Sequence, residues 1–290
     1  MRIDLHTHSN ASDGTLTPAE LVRAAAEAGL DVVALTDHDT TSGWAEAIAA
    51  TPSGLTLVPG AELSCRWYGA DPPIALHMLA YLFDPANEPL ATELTRVRLA
   101  RETRAERMVQ LLNADGIDVR WDDVHERAAG GTVGRPHLAQ ALIRLGLVNT
   151  VAEAFAPEWL GQRYRIPKQD MDVFNGLALI LGAGGVPVFA HPRASRRGPI
   201  VPDSLIVELA ARGLFGLEAD HEDHTPEQRA QVRALAADLG LVVTGSSDFH
   251  GSNKTVRLGA FLTSPEVYER IAAAARGEGG PPRWKGPSFR

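Results

Sequence analysis

The sequence predicts an α/β fold in which a mostly parallel sheet closes into a barrel and carries a mostly helical inserted segment. Seven short apolar runs alternate with helical patterns, and the alternation stops between residues 89 and 168, where helical patterns dominate. Polar residues able to bind metal ions stand at or just after the ends of six of the runs. A closed barrel brings six strand ends to one point, which an open doubly wound sheet does not do easily. Residues 1–88 and 169–290 are therefore expected to form the barrel, and residues 89–168 an insertion covering its mouth.

The first strand is expected at residues 2–6. Thr17-Pro18-Ala19-Glu20 is a capping box with proline at the first helical position, and it opens an alanine-rich helix closed by Gly29. Strands follow at 31–36, 55–58 and 74–81, with a helix near 44–50. In the insertion an arginine-rich helix is expected at 97–113. The run Gly130-Gly131-Thr132-Val133-Gly134-Arg135-Pro136-His137 opens a second helix, and a third lies near 151–155. Beyond it come a helix near 172–181 and strands at 186–190, 214–218 and 241–244. Thr225-Pro226-Glu227-Gln228 repeats the capping-box logic before the last strand.

Composition narrows the functional classes. The chain is 44% hydrophobic and 22% charged, as soluble globular proteins are. No apolar run approaches a membrane span and the N-terminus shows no signal-peptide pattern, so a cytoplasmic protein without a membrane partner is expected. A lone cysteine, Cys65, excludes disulfides and thiolate zinc sites and leaves nitrogen and oxygen ligands. The formal charge of -8 argues against binding long duplex nucleic acid, whereas a small anion needs only a local cluster of cations. Alanine and leucine stripes on the insertion helices suit a dimer contact as well as a cover, so the oligomeric state stays open.

The chemistry-bearing residues gather in short runs. Residues i and i+2 of an extended segment point the same way, so His6 with His8, and Asp248 with His250, can each grip one ion together. Histidines and carboxylates at strand ends give nine candidate ligands: His6, His8, Asp13, His38, Glu62, His77, His191, Asp248 and His250. Nine exceed the needs of one ion and imply two or three divalent ions, with a carboxylate such as Glu62 bridging a pair. Mixed imidazole and carboxylate ligands suit manganese, iron or zinc and disfavour magnesium. There is no Gly-x-Ser-x-Gly elbow and no reactive-cysteine motif, so hydroxide generated on the metals is the expected nucleophile, held by Glu62, His191 and Asp248. Phosphate esters fit such a site, because their hydrolysis needs charge neutralisation more than a protein nucleophile. Asp37 and Asp39, flanking His38, are placed to orient ligand imidazoles. His125, His221 and His224 are expected in solvated or capping roles.

Substrate anchoring should come from cations near the mouth. Arg101 and Arg104 lie three apart on one helix face, within reach of one phosphate. They share the helix with Arg96, Arg98, Arg107, Glu93, Glu102 and Glu106, a mixture equally typical of a solvated surface. Arg135 follows a glycine-rich turn that opens a helix, where backbone N–H groups and the positive dipole end favour anions. Lys168 stands where the insertion rejoins the barrel, and Arg193, Arg196 and Arg197 follow His191. His137 is open between a structural and a substrate-binding role.

Asp4-Leu5-His6-Thr7-His8-Ser9, Thr36-Asp37-His38, Ala190-His191-Pro192 and Ser247-Asp248-Phe249-His250 resemble, in order, the four motifs of the PHP phosphoesterases, named for their polymerase and histidinol phosphatase members. The resemblance implies a distorted (β/α)7 barrel with a trinuclear site. One ion would be held by His6, His8, Glu62 and Asp248, a second by Glu62, His77 and His191, and a third by Asp13, His38 and His250. It favours manganese, with zinc or iron as alternatives. Asp13 stands where some members carry histidine, which makes the third site harder.

With Ser12-Asp13-Gly14, Arg101-Glu102-Thr103-Arg104 and Gly134-Arg135-Pro136-His137, the chain is similar to the branch that holds nucleoside 3',5'-bisphosphate phosphatases and 5'-to-3' exonucleases of short RNA. That implies a small phosphorylated nucleotide as substrate, its 5'-phosphate held by the insertion arginines. The alternatives are a histidinol phosphate phosphatase, an amidohydrolase cleaving C–N bonds, and a non-catalytic metal-binding regulatory module.

Overall fold

The computed structural model describes residues 1–127 and 131–277; Gly130, in the glycine-rich run, lies outside the described residues. The strands are β1 (Ile3–Thr7), β2 (Val32–Leu35), β3 (Thr56–Trp67), β4 (Ile74–Tyr81), β5 (Met171–Asp172), β6 (Val186–Ala190), β7 (Gly216–Asp220) and β8 (Val242–Gly245). Seven of them run in the order β1-β2-β3-β4-β6-β7-β8. A bridge between Thr7 and Phe249, with the His8 amide donating to the Phe249 carbonyl at 2.9 Å, joins the last strand to the first and nearly closes the barrel. The fold class is the α/β barrel expected from the sequence.

One strand breaks the parallel pattern. β4 pairs antiparallel with both β3 and β6. A short hairpin joins it to β3, and a parallel return would need a crossover of a dozen residues or more. The reversal decides where His77 sits. It lies opposite Ser64 and Ala190, in the first half of β4 and at the C-terminal end of β6. His77 therefore reaches the same rim as the other strand-end residues by running the opposite way. β5 lies off the barrel path and pairs with the outer half of β3, Cys65 opposite Met171.

The helices are α1 (Pro18–Glu27), α2 (Trp44–Ala50), α3 (Glu88–Ala114), α4 (Trp121–Arg127), α5 (Arg135–Arg144), α6 (Val151–Ala154), α7 (Val173–Gly182), α8 (Asp203–Ala211), α9 (Pro226–Leu239) and α10 (Pro265–Arg276). Both capping boxes form, Thr17 with Glu20 and Thr225 with Gln228. α3 begins earlier than its arginine pattern suggests, because Asn87 caps it by accepting from the Leu90 amide at 3.2 Å.

Leu21, Val33, Trp44, Leu57, Phe83, Leu177, Ile206 and Leu217 belong to the core between sheet and surrounding helices. Ile3, Leu5, Val32, Val58, Tyr81 and Val188 pack with Ile271 of α10. A separate core joins Met108, Leu112, Val124, Leu138, Leu142, Leu160 and Tyr164, all from the helical stretch between β4 and β5.

Candidate metal centre

The rim is built from strand ends held under constraint. A register shift between Asp4 and Thr7 irregularises the end of β1 where His6 and His8 emerge. The Asp4 carboxylate fixes this segment by accepting from the Ser247 amide at 3.0 Å and the Gly259 amide at 2.9 Å. His38, just past β2, bridges to Glu62 in β3. Asp39, His191 and Asp248 have φ of 55°, 33° and 53°. These are left-handed conformations adopted without glycine, at about 1–3 kcal/mol each, and such strain concentrates at functional sites.

Glu62, buried, is the hub. Its Oε2 lies 3.2 Å from His6 Nε2, His8 Nε2 and His38 Nδ1, and its Oε1 lies 2.7 Å from His77 Nδ1 and 3.0 Å from His191 Nε2. Asp248 Oδ1 is 3.4 Å from His6 Nε2, 3.2 Å from His8 Nε2 and 3.4 Å from His250 Nδ1. Asp13 is 3.3 Å from His250 Nε2 and 3.8 Å from both His38 Nε2 and His8 Nδ1. All nine sequence candidates thus meet at one rim.

Three overlapping sets have ligand atoms close enough for one ion: His6, His8, Glu62 and Asp248; His38, Glu62 and His77; and His8, Asp13, His38 and His250. His191 lies outside these three sets and reaches the centre through its contact with Glu62 Oε1. His6 Nε2, His8 Nε2, His38 Nδ1 and Asp248 Oδ1 are buried without a hydrogen-bond partner. Orphaned buried polar atoms are costly, and four converging ones fit cations.

Electrostatics agree. Burial works against the Glu62 and Asp248 carboxylates, yet the surrounding cations, His77 and His6 for Glu62 and Lys254 and His6 for Asp248, hold both pKa values well below the usual range. Burial disfavours the His8 imidazolium, but Asp248 and Glu62 outweigh it and hold its pKa at about 9.

The supporting residues differ in part from expectation. Asp37 does not touch a ligand imidazole. It accepts from Ser9 and from Ser12 Oγ at 2.6 Å, and Ser12 Oγ in turn lies 3.4 Å from His8 Nδ1. Asp39 holds Ser64 and Arg101 instead. Glu218 in β7, unmarked by any sequence motif, does the orienting: Oε1 is 3.1 Å from His6 Nδ1, and Oε2 accepts from the His191 amide at 2.9 Å.

His221 does cap backbone, its Nδ1 accepting from the Asp223 amide at 3.0 Å, but it is not solvated. It is buried, with Nε2 3.2 Å from Asp248 Oδ2, and its ring lies 5.0 Å from that of His191. A solvated role failed for it because β7 ends beside the site and turns His221 inward. His224 does cap backbone, accepting from the Arg193 amide at 3.0 Å and bonding the Ala219 carbonyl at 2.8 Å. His125 is exposed beside Glu102. Lys254, which no sequence motif marks, places its Nζ 2.6 Å from Asp248 Oδ2.

The anion-binding candidates also gather. Arg101 and Arg104 are buried despite the mixed charges of their helix. Arg101 Nε lies 2.9 Å from Asp39 Oδ2, and its Nη2 donates to Ser64 Oγ at 2.7 Å. Asp39 and Ser64 adjoin the ligand region, through His38 along the chain and His77 across the sheet. Arg104 Nε has no hydrogen-bond partner, and burial together with Arg101 and Arg135 pushes its pKa down to about 9.

Burial, aided by neighbouring arginines and opposed by Asp170, lowers the Arg135 pKa to about 10 and the Lys168 pKa to about 8. Arg135 also stacks over Phe155 at 4.8 Å. His137 Nδ1 accepts from the Gly134 amide at 2.9 Å, a helix-capping contact. Arg197 belongs to a different group, bonding Asp223 and Asp248 at 2.6 Å each.

No helix among the described residues is long and apolar enough to cross a membrane. The PHP domain family model matches residues 4–119. A 5'-3' exoribonuclease of Haemophilus influenzae is 35% identical over 265 residues, 90% of this chain and 94% of the relative. A 3',5'-nucleoside bisphosphate phosphatase of Chromobacterium violaceum is 34% identical over 256 residues, 86% and 87% of the two chains. A crystal structure assigned to a metal-dependent phosphoesterase of Bifidobacterium adolescentis superimposes with a TM-score of 0.88 at 38% identity, covering 94% of this chain and 96% of the other. By fold, by its converging histidines and carboxylates and by these similarities, the chain belongs to the PHP domain family of metal-dependent phosphoesterases.

Proposed function

We propose that the enzyme hydrolyses the 3'-phosphate of nucleoside 3',5'-bisphosphates, giving the nucleoside 5'-monophosphate and inorganic phosphate. The observation that carries this reading is a group of cations, Arg101 and Arg104 buried and Arg135 and Lys168 half-buried, in which Arg101 pairs with Asp39 beside the candidate ligand His38 and the other three face chiefly Asp170. Cations held together against their own repulsion call for an anion, and the substrate must therefore carry a second phosphate besides the one that is cleaved.

In this reading the ligands divide as His6, His8, Glu62 and Asp248; Glu62, His77 and His191; and Asp13, His38 and His250. They hold two or three divalent ions, manganese foremost and zinc or iron as alternatives. Divalent ions held by these residues would supply charge neutralisation for the phosphoryl oxygens and activation of water. The chain's own residues do the rest. Glu218 and the Ser12–Asp37 pair fix the His6 and His8 rings. Arg101, anchored by Asp39 and Ser64, sets the distance from the cation group to the rim. Arg104, Arg135 and Lys168 close on the 5'-phosphate, and Arg197 lies by Asp248 to meet the phosphate that leaves. The segment from 89 to 168 covers the mouth and supplies the 5'-phosphate contacts, with His137 holding the turn before Arg135.

The same anchoring accepts the 5'-phosphate of a short RNA, trimmed from its 5' end, a reading favoured by the exoribonuclease named among the relatives. Histidinol phosphate has no second anion to offset the cations. The test is phosphate release by manganese-loaded protein from adenosine 3',5'-bisphosphate, with 3'-AMP, 5'-AMP and histidinol phosphate in parallel. Accumulation of 5'-AMP is expected, and a preference for 3'-AMP or histidinol phosphate would overturn the two-anion argument.

A further inference from the structure

We infer that Lys254 grips the phosphoryl group being cleaved, as a catalytic residue separate from the arginine cluster. The inference rests on the phosphoesterase reading and adds to it a residue that no sequence motif marks.

The two oxygens of Asp248 face different company. Oδ1 lies among the ring nitrogens of His6, His8 and His250. Oδ2 receives Lys254 Nζ and Arg197 Nη2 at 2.6 Å each, and His221 Nε2 lies 3.2 Å away. The ammonium thus borders the point on which the imidazoles converge without occupying it. Arg197 has a second carboxylate, Asp223, at 2.6 Å. Among the described residues Lys254 has only Asp248 as an ion-pair partner. When Asp248 shares its charge with bound ions, Lys254 keeps positive charge unmatched at the edge of the site. The negative group that arrives there is the phosphoryl group under attack, which spreads charge over its nonbridging oxygens.

The position is built for this. Lys254 follows a short turn, Gly251–Asn253, that is tied down on several sides. The Ser252 amide donates to Thr15 Oγ1 at 3.0 Å, Asn253 Nδ2 donates to the Asp13 carbonyl at 2.9 Å, and Gln140 Nε2 donates to Asn253 Oδ1 at 2.8 Å. Gly251 permits the turn with φ of 65°, and a side chain there would strike Thr15. The backbone is pinned to the Asp13 loop and to α5. The lysine side chain is 26% exposed, so it reaches the mouth and can follow an entering anion.

The test compares wild type, Lys254→Gln and Lys254→Arg as manganese-loaded proteins. Metal content is measured by plasma emission, and titration calorimetry reads the binding of 5'-AMP and, with 5'-AMP saturating so that the arginine cluster is filled, the binding of inorganic phosphate. Loss of one charged contact should weaken phosphate binding about tenfold or more in Lys254→Gln. Lys254→Arg should recover most of it, and metal content and 5'-AMP binding should stay at wild-type levels. Unchanged phosphate binding in Lys254→Gln would overturn the inference. So would parallel loss of phosphate and metal, which would make Lys254 a prop for Asp248. Failure of the wild type to bind 5'-AMP would reject the nucleotide reading and leave the phosphate comparison to decide Lys254.

Discussion

Arg104 offers a test in which stability and function should move in opposite directions. The residue is 6% exposed, and its Nε lacks a hydrogen-bond partner. Burial first, then repulsion from Arg101 and Arg135, lowers its pKa well below the usual arginine value, to about 9. At 1.36 kcal/mol per pH unit, that sets an upper bound of about 5 kcal/mol on the cost of keeping the charge in the folded protein. Replacing buried ions by apolar groups of similar volume returns about 1–4 kcal/mol. Arg104→Met keeps most of the packing and removes the charge. It should raise the melting temperature by about 2–8 °C, taking about 2 °C per kcal/mol for a chain of this size. It should also raise KM for adenosine 3',5'-bisphosphate by about tenfold or more through the lost phosphate contact, with kcat less affected. Differential scanning fluorimetry with and without inorganic phosphate, beside steady-state kinetics, gives both readings. A destabilised variant with unchanged KM would show Arg104 to be an ordinary structural arginine and would refute the argument from unmatched charge.

Other outcomes follow from the same contacts. Glu218→Gln should lose about 10–100-fold in manganese affinity, as expected when a carboxylate orienting a ligand histidine is neutralised; competition with a chromophoric chelator reads this, and affinity within threefold of wild type would remove Glu218 from the site. Lys168 is protonated below about pH 8 and neutral above it, and anions prefer the protonated form. KM for the bisphosphate should therefore climb between pH 7 and 9.5, and Lys168→Met should flatten that climb. His8 carries a proton up to about pH 9 in the metal-free protein, whereas a ligand imidazole must be neutral. Manganese affinity should rise with pH toward 9, with proton release visible in calorimetry in buffers of different ionisation enthalpy. His125→Ala, at an exposed position, should change neither kinetics nor melting temperature.

The rim was legible because its residues come in pairs at spacing two. His6 with His8 and Asp248 with His250 advertise a shared direction, and the strand-end histidines His38 and His191 stand after apolar runs. Glu218 and His221 were not legible, since a lone glutamate and a histidine among acids in Asp220-His221-Glu222-Asp223 read locally as surface. Their roles come from the end of β7 meeting the ends of β1, β6 and β8, which is a property of barrel closure. Arg101 and Arg104 show the same limit. Their helix reads as solvated because Glu93, Glu102 and Glu106 share it, and only the tertiary packing of α3, which contacts α5 and α7, buries one arginine face and brings Arg101 to Ser64.

His77 shows most directly how chain direction and chemistry are joined. In a parallel strand, a residue in its position in β4 would lie deep in the barrel, away from the rim. The hairpin after Trp67 turns the chain back along β3, so residues early in β4 stand level with the C-terminal ends of the neighbours. The pairing that sets His77 opposite Ser64 and Ala190 thereby brings its ring nitrogen to within 2.7 Å of Glu62 Oε1. Glu62 can serve as hub only because β3 continues past the level at which β2 stops. The hairpin thus supplies a bridging carboxylate and an imidazole to the centre of the site, and two flanking residues, Ser64 and Arg66, reach the cation group through Arg101 and Asp170. A shift of one residue in the β3–β4 register would turn both Glu62 and Ser64 away together. The candidate metal centre and the anion subsite therefore depend on one strand pairing, which couples the distance between them to the register of the sheet.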